Sequence, residues 1–270
     1  MKVVSKEKAN IAAIVLAAGR GSRMGSTVGT PKVLRKVGNK TMLSHVLDSL
    51  TQTSLHNFCL VLSKNYKVFE PFLSNYRHTN VCIQATANGT AGAVAAASVS
   101  FENQPVCSYS SQELLRGKPF KNNRYVLICN GDTPAISPSL LENFIDFSLK
   151  NSFKLNIIGM NLPNPSGYGR LVLENKKLVR IVEEKDASES VKKISLCNSG
   201  IFFAETNFLF SLLQEVRDNN EQNEYYLTDC IKLATNKNEN VGVFTTDKWH
   251  TLLGVNTPEQ LNDLLLHMNT

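Results

Sequence analysis

Apolar residues in this chain fall into short runs that alternate with helically spaced stretches. Ile11–Leu16, Asn57–Leu62, Asn80–Gln84, Tyr125–Cys129 and Leu155–Met160 read as strands. Near-continuous apolar runs of this length are the mark of strands covered on both faces. Between them, Leu43, Val46, Leu47 and Leu50 mark one face of a helix, and Ala91–Val99 reads as an alanine-rich helix. Ser137-Pro138 supplies an N-cap and a proline at the first helical position, and Leu140, Leu141, Phe144 and Ile145 mark the buried face that follows. Such alternation predicts an α/β fold, a Rossmann-like mixed, mostly parallel sheet with helices on both faces.

After about residue 160 the pattern changes. Gly169–Leu173 and Leu178–Val182, separated by Glu174-Asn-Lys-Lys177, read as an antiparallel hairpin. Asn198–Phe203 is a further strand, leading to a helix with Phe208, Leu209, Leu212, Leu213 and Val216 on one side. Thr257-Pro-Glu-Gln260 reads as a capping box for a helix over Leu261–His267. Residues 103–123 lack periodicity and read as a surface insertion. With no repeat and no low-complexity linker, one domain over 1–270 is expected, with halves of about 1–160 and 161–270.

Composition narrows the class. Of 270 residues, 42% are hydrophobic, which excludes a disordered chain. No apolar run approaches the roughly 18–20 residues of a membrane span, so no membrane partner is expected. Six cysteines (Cys59, Cys82, Cys107, Cys129, Cys197, Cys230) show no CxxC pair and several lie in strand-like runs. Buried reduced thiols in a cytoplasmic protein are the expectation.

Charge matters once it is located. Residues 1–40 hold nine Lys/Arg and one acid, net +8, while the other 230 hold 20 basic and 22 acidic residues, net −2. A targeting signal, a nucleic-acid arm and a local anion site compete for this excess. Lys2, Lys6 and Lys8 before the apolar run resemble a signal peptide, but that run is barely long enough, and Arg20 and Arg23 follow at once. A nucleic-acid arm is disfavoured, because residues 1–40 contain no aromatic side chain for stacking. The anion site remains.

Gly19, Gly21 and Gly25 follow the first strand, where free backbone amides can cradle phosphate oxygens. Their spacing is GxGxxxG, which is neither the dinucleotide fingerprint nor a P-loop. Arg20 and Arg23 within the loop, and Lys32 after Pro31, suit a triphosphate.

Leu16-Ala-Ala-Gly-Arg-Gly-Ser-Arg-Met24 with Thr30-Pro31-Lys32 resembles the signature of sugar-1-phosphate nucleotidyltransferases. Further blocks are similar to the uridyltransferase domain of the bacterial bifunctional N-acetylglucosamine-1-phosphate uridyltransferase/glucosamine-1-phosphate acetyltransferases. They are Gln84–Thr90, Asn130-Gly-Asp132, Gly167–Arg170, Ile181–Asp186, Asn198-Ser-Gly200, Glu224–Asp229 and Gly254-Val-Asn256. The resemblance implies the nucleotide-diphospho-sugar transferase fold. It also implies transfer of UMP from UTP to N-acetylglucosamine 1-phosphate, without a covalent intermediate.

The resemblance also implies roles. Arg23, Lys32 and Asp132 would be catalytic, and Leu16, Ala17, Ala18, Gly19, Gln84, Gly89 and Thr90 would join them in binding the nucleotide. Gly169, Glu183, Asn198, Tyr226 and Asn256 would bind the sugar, and Asp132 with Asn256 would hold Mg²⁺. Read alone, Asp132 would be a turn residue and Tyr226 a core residue at a helix start. The chain ends at Thr270 without the hexapeptide repeats of the acetyltransferase half, so acetyl transfer is not expected of it. A weak homo-oligomer and a separate acetyltransferase chain are the protein partners left open, and no nucleic acid is expected. Asn130 stands where the family commonly has tyrosine. Another sugar phosphate or NTP, or a non-catalytic sugar-nucleotide sensor, are the rival readings.

Overall fold

In the computed structural model, residues 8, 10–19, 30–76, 79–97, 108–109, 123–257, 259–261 and 264 are described. The first apolar run forms β1 (Ile11–Leu16), which lies between β4 (Asn57–Ser63) and β7 (Tyr125–Asn130), parallel to both. Between β1 and β4 come a two-stranded ribbon, β2 (Lys36–Val37) and β3 (Lys40–Thr41), and helix α1 (Met42–Thr51). The Thr41 hydroxyl caps α1 by accepting from the Ser44 amide. Next to β4, in parallel, lie β5 (Asn80–Gln84) and then β6 (Ser108–Tyr109).

The other flank of the sheet is mixed. Strand β11 (Leu196–Glu205) runs antiparallel to β7 on one side and to β8 (Leu155–Asn161) on the other. Strand β12 (Val241–Thr246) extends the sheet parallel to β8. A hairpin of β9 (Arg170–Glu174) and β10 (Lys177–Val182) joins the amino-terminal part of β11 through Arg170 and Cys197. Asn175 and Lys176 at its tip have φ of 51° and 64°. Two successive left-handed residues match the right-handed twist of the flanking strands. Ten strands among the described residues thus make one mostly parallel sheet.

Helices cover both faces. Ile14 of β1 faces the layer formed by α2 (Thr90–Ala97), α4 (Thr206–Leu213) and α5 (Asp229–Asn236). Its neighbours Ala13 and Val15 face α1 and α3 (Pro138–Asn151). Period-two alternation along one buried strand therefore feeds two cores, which is why β1 reads as continuously apolar. Among the described residues, no helix is long and apolar enough to cross a membrane. Cys59, Cys82, Cys129, Cys197 and Cys230 are free and buried, whereas Cys107 lies outside the described residues.

Several expectations need correction. Residues 103–123 are not wholly a surface insertion, since Ser108–Tyr109 pair with β5. Asn123 is also buried, and its carbonyl accepts from the Thr206 hydroxyl. The helix expected through Val216 stops at Leu213, although Val216 still packs in the core. In the capping box, Gln260 Oε1 accepts from the amide of Asn256, at 2.6 Å, while Thr257 Oγ1 accepts from the Gln260 amide. Most of the helix expected at 261–267 lies outside the described residues.

Candidate active site at the carboxyl edge of the parallel strands

Strand β1 ends at Leu16, and the sheet itself steers the chain beyond it. The Ala17 amide donates to the Val61 carbonyl of β4, and the Gly131 amide after β7 donates to the Leu16 carbonyl. Ala17, Ala18 and Gly19 are thereby held at the carboxyl edge of the strands, where open α/β sheets place ligands. They border a cavity of about 380 Å³, together with Thr30, Pro31 and Gln84. Ser63, Lys64 and Asn65, leaving β4, also line it. The loop between, with Arg20, Gly21, Arg23 and Gly25, lies outside the described residues, and so does the role expected of Arg23.

Lys32 directly follows cavity-lining Pro31 and is buried. Its ammonium donates to Asp132 Oδ2 and to Asn256 Oδ1, the latter at 2.7 Å. Asp132 sits two residues beyond β7, and its carbonyl receives the Val255 amide at 2.9 Å. The Gln260 side chain holds the Asn256 amide, so the chain's two distant segments meet with both oxygens aimed at one cation. Gly254 lies against this meeting point, where a Cβ would make ordinary contact with Asp132 Oδ1 and Asn256 Nδ2, both at 3.6 Å. Tyr168 packs beside it. Burial, and then the Asp132 charge, push its hydroxyl up to about 12, with bonding to the Gly254 backbone pulling the other way.

Among the described residues, no group of three His, Cys, Asp or Glu side chains could hold a metal. The donor set here is one carboxylate and one amide oxygen, already converged on a positive charge. That set suits a hard cation such as Mg²⁺, which takes a few protein oxygens and completes its octahedron with phosphate oxygens and water.

A second cluster forms where β5 ends. Gln84 is 5% exposed, and its Nε2 donates to Asn88 Oδ1 at 2.9 Å and to the Gly89 carbonyl at 3.0 Å. Gly89 has φ of +105°, and a Cβ there would come within 2.5 Å of the Tyr225 carbonyl oxygen. Only glycine fits. The Thr90 hydroxyl accepts from the Leu227 amide, so this loop is tied to residues 225–227 of the second half.

A third cluster joins the hairpin to the loop before α5. The Asn198 amide donates to the Gly169 carbonyl at 2.8 Å, and Asn198 Oδ1 accepts from the Gly200 amide. Glu183 accepts from the Thr228 hydroxyl at 2.9 Å. Its other oxygen faces Gly169, where a Cβ would stand 3.2 Å away. Burial holds the Glu183 carboxyl above the usual range, against the Thr228 bond. Glu184, one residue on, shows the reverse. Burial pushes it up, but the Arg170 guanidinium and the Gly167 amide outweigh that and hold it low. Tyr226 is 7% exposed, lies in the loop before α5 and accepts from Gln222 Nε2 at 2.7 Å.

The structure therefore groups Lys32 with Asp132 and Asn256, Gln84 with Gly89 and Thr90, and Gly169 with Glu183 and Asn198. Asn256, assigned to the sugar as well as the metal, stands on Lys32. Sequence reasoning missed Tyr168, Asn88 and Thr228. Each lies inside a quoted motif block, but the partner that gives it meaning lies elsewhere in the chain or in an unassigned rotamer.

Residues 13–155 match the model of the MobA-like NTP transferase domain. The bifunctional protein GlmU of Cereibacter sphaeroides is 38% identical over 252 residues, covering 93% of this chain and 50% of that protein. The same-named protein of Clostridium perfringens is 32% identical over 252 residues, covering 93% and 51%. The chain spans about half the length of the curated relatives it matches. Among solved structures, a putative glucose-1-phosphate thymidylyltransferase from Bacillus anthracis is similar in fold, with a TM-score of 0.70 and 18% identity over 95% of this chain and 94% of that one. A UDP-glucose pyrophosphorylase complexed with UDP-glucose also has a TM-score of 0.70, at 15% identity, covering 96% and 98%. With its carboxyl-edge cavity, its mixed sheet and a match over residues 13–155, the chain belongs to the MobA-like NTP transferase domain family.

Proposed function

We propose that the chain transfers UMP from UTP to N-acetylglucosamine 1-phosphate, releasing pyrophosphate and forming UDP-N-acetylglucosamine. A phosphate oxygen of the sugar phosphate attacks the α-phosphorus of UTP, one P–O bond forms, and the bond to the β-phosphate breaks. Two polyanions must approach each other, so positioning and charge neutralisation supply most of the rate.

The observation that carries this reading is the convergence of Lys32, Asp132 and Asn256 directly after Pro31, which lines a cavity together with Gln84. Lys32 exchanges its side-chain oxygens for phosphate oxygens and neutralises them. Asp132 and Asn256 would hold Mg²⁺, which when bound supplies further neutralisation of the triphosphate. Gln84 reads the uracil, Gly89 brings the backbone close to it, and Glu183 and Asn198 bond the sugar hydroxyls. In this reading 1–270 is a single transferase domain, with the nucleotide in the half up to about residue 160 and the sugar in the remainder. Arg23 adds a second cation to the phosphates.

The test is pyrophosphate release across a matrix of UTP, dTTP, CTP and ATP against N-acetylglucosamine 1-phosphate, glucose 1-phosphate and inositol 1-phosphate. Highest kcat/KM for UTP with N-acetylglucosamine 1-phosphate is expected. Preference for dTTP or glucose 1-phosphate overturns the substrate assignment, and no turnover with any pair supports a sensor instead.

A further inference from the structure

The Gln84 carboxamide is oriented by its surroundings. A backbone carbonyl only accepts hydrogen bonds, so the Gln84 atom 3.0 Å from the Gly89 carbonyl is the amide nitrogen. That nitrogen also lies 2.9 Å from the Asn88 side chain, which therefore presents its Oδ1. Both amide hydrogens of Gln84 are consumed within the chain. What remains is Oε1, which has no donor among the described residues, on a side chain that lines the cavity. Gln84 can only accept from a ligand.

Asn88 reaches Gln84 because of a missing side chain. A Cβ on Gly92, in the first turn of α2, would overlap Asn88 Oδ1 and crowd its Cγ at 2.6 Å. Glycine inside a helix costs about 1 kcal/mol relative to alanine, so helix propensity does not explain Gly92. The room it leaves for Asn88 does.

We propose that Asn88, seated over Gly92, is a positioning residue that holds Gln84 as an acceptor-only reader of the base and so selects uracil over cytosine. Uracil offers an N3–H between two carbonyls, and cytosine offers a bare lone pair at N3. An oxygen acceptor bonds the first and repels the second. A polar site left unpaired by the wrong base discriminates far more strongly than an apolar one. Loss of Asn88 leaves one amide hydrogen unsatisfied and lets the carboxamide swing, so its nitrogen can meet cytosine.

The inference rests on the UTP reading, and its test separates the two. Pyrophosphate release is measured with UTP and with CTP for wild type, Asn88→Ala, Asn88→Asp and Gly92→Ala, and melting temperature is recorded for each. The UTP:CTP ratio of kcat/KM is expected to fall about tenfold or more in Asn88→Ala, the worth of one hydrogen bond. Asn88→Asp keeps the acceptor and is expected to keep the ratio. Gly92→Ala favours the helix yet displaces the Asn88 side chain, so it is expected to lose discrimination without loss of melting temperature. A ratio unchanged in Asn88→Ala and Gly92→Ala, or lost equally in Asn88→Asp, overturns the inference while UTP use stands. Wild type that does not prefer UTP overturns the base assignment itself.

Discussion

Two buried cations among the described residues, Arg170 and Lys32, each pair with a carboxylate, and their surroundings differ. Arg170, 1% exposed, pairs with Glu184 at 2.6 Å at the start of the hairpin. Its remaining contacts are the backbone carbonyls of Tyr168 and Lys192. Lys32 pairs with Asp132, and its other acceptor is the Asn256 side chain. Carbonyls of the fold cannot be surrendered to a ligand without moving the chain, whereas side-chain oxygens at an open strand edge can. One pair holds loops in place, and the other is available for exchange. A buried ion pair by itself signals neither stability nor function, and the identity of the acceptors separates the two cases.

The strongest break of this contrast is Arg170→Met. Removing the buried guanidinium and stranding two carbonyls is expected to destabilise the fold by about 2–4 kcal/mol, read from urea unfolding. A loss below about 1 kcal/mol, the size of an ordinary surface pair, would erase the distinction. Lys32→Ala is expected to lower kcat/KM for pyrophosphate release by about 10²–10³-fold, the cost of losing one preorganised donor to developing charge.

Glu183 and Glu184 sharpen the contrast at single-residue scale. Burial raises the Glu183 pKa, so the folded state holds that proton more tightly than the unfolded state does. Its contribution is complete below the unfolded carboxyl value and is lost as pH rises through the folded one. Glu183→Gln is therefore expected to melt close to wild type near pH 4 and increasingly above it toward pH 7, in melting curves at several pH values. A gap that narrows with rising pH contradicts the shift. The smallest effect is expected for Thr228→Val. Removing the donor to Glu183 should cost about 1–2 kcal/mol at neutral pH and weaken the sugar phosphate more than UTP, as KM values for the two substrates will report.

Much of the fold was legible because the parallel strands are buried on both faces. Ile11–Leu16 and Asn80–Gln84 begin and end where their apolar runs do. Strand β12 was not legible: it is an edge strand with partly exposed positions, and its Thr245-Thr246 end carries no apolar signal. Helix α5 was hidden likewise, since only Cys230, Ile231 and Ala234 of its eight residues are buried. Of the three lysines before the first apolar run, Lys8 bonds Glu142 at 2.7 Å and Asp146 at 2.6 Å on α3. At the site, Lys32 and Asp132 were named by their blocks, but their contact crosses 100 residues of sequence and no periodicity encodes it. The Asn88–Gly92 relation is a matter of a rotamer and a missing Cβ, which residue types alone do not fix.

On the proposed function, the Lys32–Asp132–Asn256 cluster serves chemistry rather than stability. Asp132→Asn keeps an oxygen for Lys32 while removing the carboxylate charge. Rate and melting temperature measured on one preparation of this variant separate the two roles. Pyrophosphate release is expected to fall about 10²-fold or more, with a melting temperature within a few degrees of wild type. Unchanged turnover, or a collapse of the melting temperature that accounts for the lost rate, would contradict it.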